Sequence, residues 1–249
     1  MLVGSVLIAW ILYEFTIISD LMLLQPILIT VGALMVATPL LPSMRGHFKT
    51  NDMRSQIGKE RRARATRAIG LLAIVSSALY FVSDVIEVAA GGFSTGQLWL
   101  TLIAEATAPI FVIGLWLAQR PRIGWLGAAS AIAYAYSFMF FTATVVYALV
   151  HETRDFEQLS TALDPAMTIH GVVMVIAGLG FGYAVARAGV LPRWTGVSLA
   201  IGVILISVSM GLADAVGLVG IGLRDLAFAG MGAALLRLSS QAGEVPDHL

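Results

Sequence analysis

Apolar residues in this chain gather in long runs, and polar residues gather between them. Segments such as Ile69 to Ala89 and Trp125 to Val150 are long enough to cross about 30 Å of hydrocarbon at about 1.5 Å per helical residue. The pattern predicts helices at 2–19, 21–42, 69–91, 97–118, 124–150, 166–187, 195–216 and 219–238. As a single helix the first 42 residues would measure about 63 Å, twice the hydrocarbon thickness. Two passes joined near Ser19-Asp20 are therefore preferred over one pass with an interfacial segment. The expectation is an all-α, polytopic transmembrane bundle forming one domain over 1–249. It has eight helices, with seven as the alternative, and eight would leave both termini cytoplasmic.

Charge placement gives the orientation. Arg45, Lys49, Arg54, Lys59, Arg61, Arg62, Arg64 and Arg67 fill the connection 43–67. Arg120 and Arg122, then Arg187 and Arg193, and finally Arg237 fall at later turns on the same side. Thirteen of the fifteen basic residues are thus together, and the positive-inside bias makes that side cytoplasmic. The connection 151–165 carries Glu152, Asp155, Glu157 and Asp164, as suits a translocated loop. The basic loop 43–67 reads first as a topogenic signal and second as a patch for anionic lipid. Beyond Phe48 it has no aromatic residue to stack a base, so no nucleic acid is expected.

Composition then removes whole classes of chemistry. Only 12% of residues are charged, against about 25% in soluble domains. There is no cysteine, which excludes disulfides, iron–sulfur ligation and thiolate catalysis. His47, His151, His170 and His248 show no helical metal spacing, so no metal site is expected. Lys49 and Lys59, the two lysines, share one polar loop, and none remains in a helix to hold retinal. The N-terminus lacks the basic region and small-residue cleavage site of a signal peptide. Arginine outnumbers lysine and Ala, Gly and Val are abundant, which suggests a high-GC bacterial genome and hence the bacterial inner membrane.

Ionisable residues within the predicted helices carry the functional argument. At a helix centre each costs on the order of 2.5–3.5 kcal/mol, so such residues mark pairing or function. Asp84 and Glu87 fall in the outer third of helix 69–91, and Glu105 near the middle of helix 97–118. Glu14, His170, Asp214, Arg224 and Asp225 lie close to outer helix ends. The arrangement suggests a polar vestibule opening on the extracytoplasmic side. Ser77, Tyr80, Asp84 and Glu87 recur at i, i+3, i+7 and i+10 and share one stripe. Pro109 cannot donate to the carbonyl of Glu105, so a carboxyl and a freed carbonyl meet at a hinge candidate. Arg224 is the one intramembrane cation, with Asp214 or a carboxyl of helix 69–91 as its partner.

The candidates for binding a proton, cation or substrate are therefore Asp84, Glu87, Glu105, Asp214 and Arg224. Against this stands a plainer reading, in which Glu87, Asp214 and Asp225 are hydrated and Arg224 only fixes packing. His151 and His170 flank the outer loop and could hold one haem, though interfacial histidines are the plainer reading; no cofactor is expected. Gly171, Gly178 and Gly182 form a small-residue stripe for close helix packing. Tyr134, Tyr136, Phe138, Phe140, Phe141 and Tyr147 read as packing and lipid contact. Ser77 and Asp84 are matched by Ser207 and Asp214, and Leu41-Pro42 by Leu191-Pro192. A 4+4 duplication would explain both matches, as would chance alignment of apolar helices.

The stretch Arg187-Ala188-Gly189-Val190-Leu191-Pro192-Arg193-Trp194-Thr195-Gly196 resembles a basic turn in multi-pass membrane proteins of high-GC bacteria. The resemblance covers the last third of the chain and implies no substrate and no site residue. Three functions remain. The first is a small-solute or proton-coupled transporter using Glu105 and Asp84. The second is a non-catalytic assembly or regulatory partner. The third, an enzyme acting on a lipid or isoprenoid, lacks a nucleophile–base pair. Expected partners are the lipid bilayer and a small solute or proton.

Overall fold

The computed structural model describes residues 51–209 and 214–241. The helices expected at 2–19 and 21–42, Glu14 and both chain ends lie outside the described residues. The described residues form seven helices and no strand: α1 (Asn51–Ala90), α2 (Thr95–Ala118), α3 (Gly124–Val150), α4 (Phe156–Leu163), α5 (Ala166–Ala188), α6 (Arg193–Ser209) and α7 (Asp214–Gln241). Five of them, α1, α2, α3, α5 and α7, are long and apolar enough to cross a membrane; α6 is a shorter apolar helix. The chain is thus a multi-pass helical membrane protein.

The helices that were expected at 97–118, 124–150 and 166–187 match α2, α3 and α5 within two residues. Three differences are instructive. Residues 51–67, expected as a loop, are helical and extend α1 to about 60 Å. Lys, Arg, Gln, Glu and Ala there are strong helix formers and no proline interrupts them, so polarity ends the membrane segment without ending the helix. Of the helix expected at 195–216, the described part is α6, to Ser209, and Asp214 belongs to the next described helix, α7. Ser207 and Asp214 therefore sit on two helices, unlike Ser77 and Asp84. The connection 151–165 also contains a helix, α4. Asp155 caps it by accepting from Gln158 N–H at 2.8 Å, and Leu159 and Leu163 are buried against Leu98, Phe140 and Val145.

Six helices close into a ring in which each packs against its two neighbours, in the order α1, α2, α3, α5, α6, α7 and back to α1. Facing pairs run in opposite directions across every interface that the contacts define. Ser76 meets Thr107 and Ser83 meets Thr101 between α1 and α2. Ser130 meets Gly180 between α3 and α5, and Gly70 meets Gly232 between α1 and α7. The bundle is therefore up-and-down, and the connections 91–94 and 151–165 share one end, where Phe93 N–H donates to the Arg154 carbonyl at 2.7 Å.

The outside of the ring is apolar all the way round: Val75, Ile103, Ile132, Ile176, Ile201 and Val219, one from each helix, are exposed. Such a surface suits lipid and would aggregate in water. The centre is aromatic, with the Phe111 and Phe228 rings 5.1 Å apart, edge to face, and Tyr134 5.0 Å from Phe138 and 6.0 Å from Phe228.

Three interfaces close on reciprocal glycines. A Cβ on Gly70, Gly182 or Gly202 would lie 2.7 Å from the carbonyl oxygen of the facing Gly232, Gly196 or Gly220. Because lipid is as apolar as leucine, such close backbone approach is a principal source of helix adhesion. Gly178 also faces Val203 and Tyr134, whereas Gly171 has open space around it. Gly182→Val or Gly202→Val is expected to lower stability in detergent micelles by about 1–3 kcal/mol through overpacking. Gly171→Val, measured by the same unfolding midpoint, should behave as wild type.

Candidate functional site

Polar side chains inside hydrocarbon must find partners within the protein, and the α1–α2–α7 sector is where they do so here. The stripe of α1 divides between two neighbours. Ser76, Tyr80, Ser83 and Glu87 turn toward α2, while Ser77 and Asp84 lie toward α7.

The α1–α2 side is a ladder of hydrogen bonds. Ser76 and Thr107 hydroxyls are 2.5 Å apart, Tyr80 Oη donates to Glu105 Oε1 at 2.6 Å, and Ser83 and Thr101 hydroxyls are 2.5 Å apart. Gln97, only 2% exposed, brings Nε2 within 3.0–3.2 Å of Thr101 Oγ1, Ser83 Oγ and Glu87 Oε2. Glu87 is thus tied to the end of the ladder, one turn from the chain connection.

The α1–α7 side holds the charges. Arg224 Nε donates to Asp225 Oδ1 at 2.9 Å and Nη2 to Oδ2 at 3.3 Å, a bidentate pair between consecutive residues. Asp84 Oδ2 lies 3.8 Å from Arg224 Nη2, an ion pair between helices. The guanidinium stands 4.2 Å over the ring of Tyr80, so one tyrosine links it to Glu105. Glu105, Arg224 and Asp225 are 4%, 6% and 6% exposed, which makes the centre desolvated throughout.

The geometry selects among the residues expected from the sequence. It brings together Asp84, Glu105 and Arg224, with Glu87 at the margin. The side chain of Asp214 lies outside what the structure describes. Of the two partners expected for Arg224, the helix-69–91 carboxyl is present as Asp84; the nearer one, Asp225, had been read as hydrated. Adjacent opposite charges in an apolar helix were the signal for that pair. Tyr134 is fully buried and its hydroxyl has no hydrogen-bond partner, so the aromatic run of α3 contributes a polar atom beside its packing. Helix α2 continues through Pro109 as one element.

Among the described residues these groups close on one another. Ser76, Ser77, Tyr80, Ala104, Arg224 and Asp225 line a cavity floored by Phe111, Phe138 and Phe228. It leaves about 10 Å³ for the centre of a water-sized body, close to the minimum for one water. Buried oxygens remain without a hydrogen-bond partner: Ser77 Oγ on its lining, and Glu105 Oε2 and Asp84 Oδ2 elsewhere in the same α1–α2–α7 sector. The centre can therefore accept hydrogen bonds from a proton-bearing group or ligate something no larger than a water.

His170 is held inside the fold: its Nδ1 meets the Ala166 carbonyl at 2.8 Å, its Nε2 meets Tyr136 Oη at 3.1 Å, and its ring stacks on Phe140 at 3.7 Å. Among the described residues no group of three His, Asp or Glu side chains is placed to hold a metal ion. No protein-family model, curated protein or solved structure matches the chain.

Arg224→Gln should destabilise the protein by about 3–5 kcal/mol, since it strands buried carboxyls without a counter-charge. Asp84→Asn should cost less, because Asp225 keeps its bidentate hold on the guanidinium. Denaturant titration of both variants in micelles checks the order.

Proposed function

We propose that the chain is a proton-coupled membrane carrier whose titrating centre is Asp84, Glu105, Asp225 and Arg224. The observation that supports this is a count: two carboxyls, Asp84 and Asp225, pair with one guanidinium, and a third, Glu105, lies one tyrosine away. Burying an unmatched charge costs several kcal/mol after relaxation, so the excess is balanced by protons or a small cation. A centre that is neutral only when so loaded can couple uptake of a positive charge to helix movement. Tyr80 joins Glu105 to the Arg224 side, so a change of charge at either one is felt by the other.

Space limits what is carried in this conformation. Room for about one water suits a proton or a bare ion; a larger solute requires α2 to move. Pro109 is the hinge in this reading, since its missing N–H leaves the Glu105 carbonyl without the usual intrahelical donor. The basic end faces the cytoplasm of a bacterial inner membrane, which turns the Asp84–Glu87 end outward.

A second reading, a regulatory or assembly component, draws on the same packing: the Arg224 cluster ties α1 to α7 and the glycine seams close the ring. Reconstitution separates the two. In proteoliposomes with an imposed potential and an internal pH dye, the wild-type chain should acidify the lumen. Glu105→Gln should slow that flux by about 10²-fold, as removal of a proton-transferring group does. Full flux in both Glu105→Gln and Asp84→Asn, or no flux in wild type with a fixed partner co-purifying, would sink the carrier reading.

A further inference from the structure

The end of the bundle opposite the charged centre carries a second ordered set of charges. The up-and-down ring gathers there the C-termini of α2, α5 and α7 and the N-termini of α3 and α6. Each contributes to a rim. Arg120 and Arg122 lie in the α2–α3 turn, Arg187 in the last turn of α5, Arg193 at the first residue of α6 and Arg237 in the closing turns of α7. Arg67 of α1 joins them, since Gly70, one turn deeper, packs against Gly232 and Leu236. All six are exposed, and among the described residues no Asp or Glu lies on this rim. The opposite end is acidic, with Glu152, Asp155, Glu157 and Asp164 exposed beside Arg154 alone.

Indole rings mark the same level. Trp125, 80% exposed, and Trp194, 48% exposed, are the second residues of α3 and α6. Trp116 sits two residues before the end of α2, with the Arg120 guanidinium 5.5 Å from its ring centre. Tryptophan at helix ends settles where hydrocarbon meets headgroups. The arginines therefore stand at phosphate depth.

We propose that this rim binds the headgroups of anionic phospholipids and forms an annular binding surface in one leaflet. Arginine presents a planar fork to phosphate and pairs with it bidentately. The distribution decides the partner: the charges go right round the circumference. A nucleic acid or a docked protein would touch one side, whereas a leaflet surrounds the bundle. Arg154, equally exposed but at the acidic end, makes a natural comparison.

The experiment uses the purified full chain in micelles, titrated with phosphatidylglycerol or phosphatidylcholine of matched acyl chains and read by native mass spectrometry. Phosphatidylglycerol should be retained over phosphatidylcholine. At about fivefold per arginine near a charged surface, Arg187→Gln with Arg193→Gln should weaken phosphatidylglycerol binding about 25-fold. Arg154→Gln, at the acidic end, should change binding less than about twofold, against about fivefold for Arg193→Gln alone. Arg187→Lys with Arg193→Lys keeps the charge and should lose far less than the glutamine pair. Equal losses in Arg193→Gln and Arg154→Gln would mean a diffuse charge effect and overturn the proposal. So would equal retention of the two lipids, displacement by millimolar inorganic phosphate, or tighter capture of a short RNA.

Discussion

A guanidinium within an apolar bundle has to be matched by groups that the protein itself supplies, and Arg224 shows how much follows from that need. Its own helix provides Asp225, which holds two of its nitrogens at 2.9 and 3.3 Å. Its neighbour α1 provides Asp84 and the face of Tyr80. These contacts require α1 and α7 to lie side by side, and that adjacency is what closes six helices into a ring. The glycine seam at Gly70 and Gly232 allows the approach, and the ion pair gives it a register.

Two kinds of adhesion divide the ring. Between α5, α6, α7 and α1, backbones touch through glycine and dispersion does the holding, which demands fixed distances. Between α1 and α2 the rungs are hydroxyls, an amide and carboxyls. Each bond there is individually modest, so the interface can exchange partners at small cost. Glu105 and Pro109 both belong to that second kind of interface, the one better suited to rearrangement.

Much of the fold was legible in the amino-acid pattern. Helices α2, α3 and α5 are continuous apolar runs bounded by Gly, Pro or charged residues, and length alone identifies them. What the pattern concealed has physical causes. Hydropathy marks where a helix leaves lipid, not where it ends, so residues 51–67 passed for a loop. Helix α4 is too short for a spanning signal and announces itself only by Asp155 as a cap. The site was half legible. Asp84, Glu105 and Arg224 stand out because any charge in an apolar run does. Asp225 was discounted by its distance from a helix end that in fact lies elsewhere, and Gln97, Ser83 and Thr101 are uncharged residues whose role depends on a facing helix. The closeness of the packing among the described helices depends on glycine contacts that no single helix reveals.

The placement of Asp84 and Arg224 at opposite ends of the described chain bears on biogenesis. Helices leave the ribosome and enter the bilayer in order, so α1 is inserted long before α7 exists. Until then Asp84 has no cation, and the α1 side of the ring has no cover for Gly70. The nascent protein is thus an open arc that only its final segment can complete. Any chain cut short before α7 presents an unmatched carboxyl and a bare glycine groove to lipid, a surface by which membrane quality control can tell unfinished copies from finished ones.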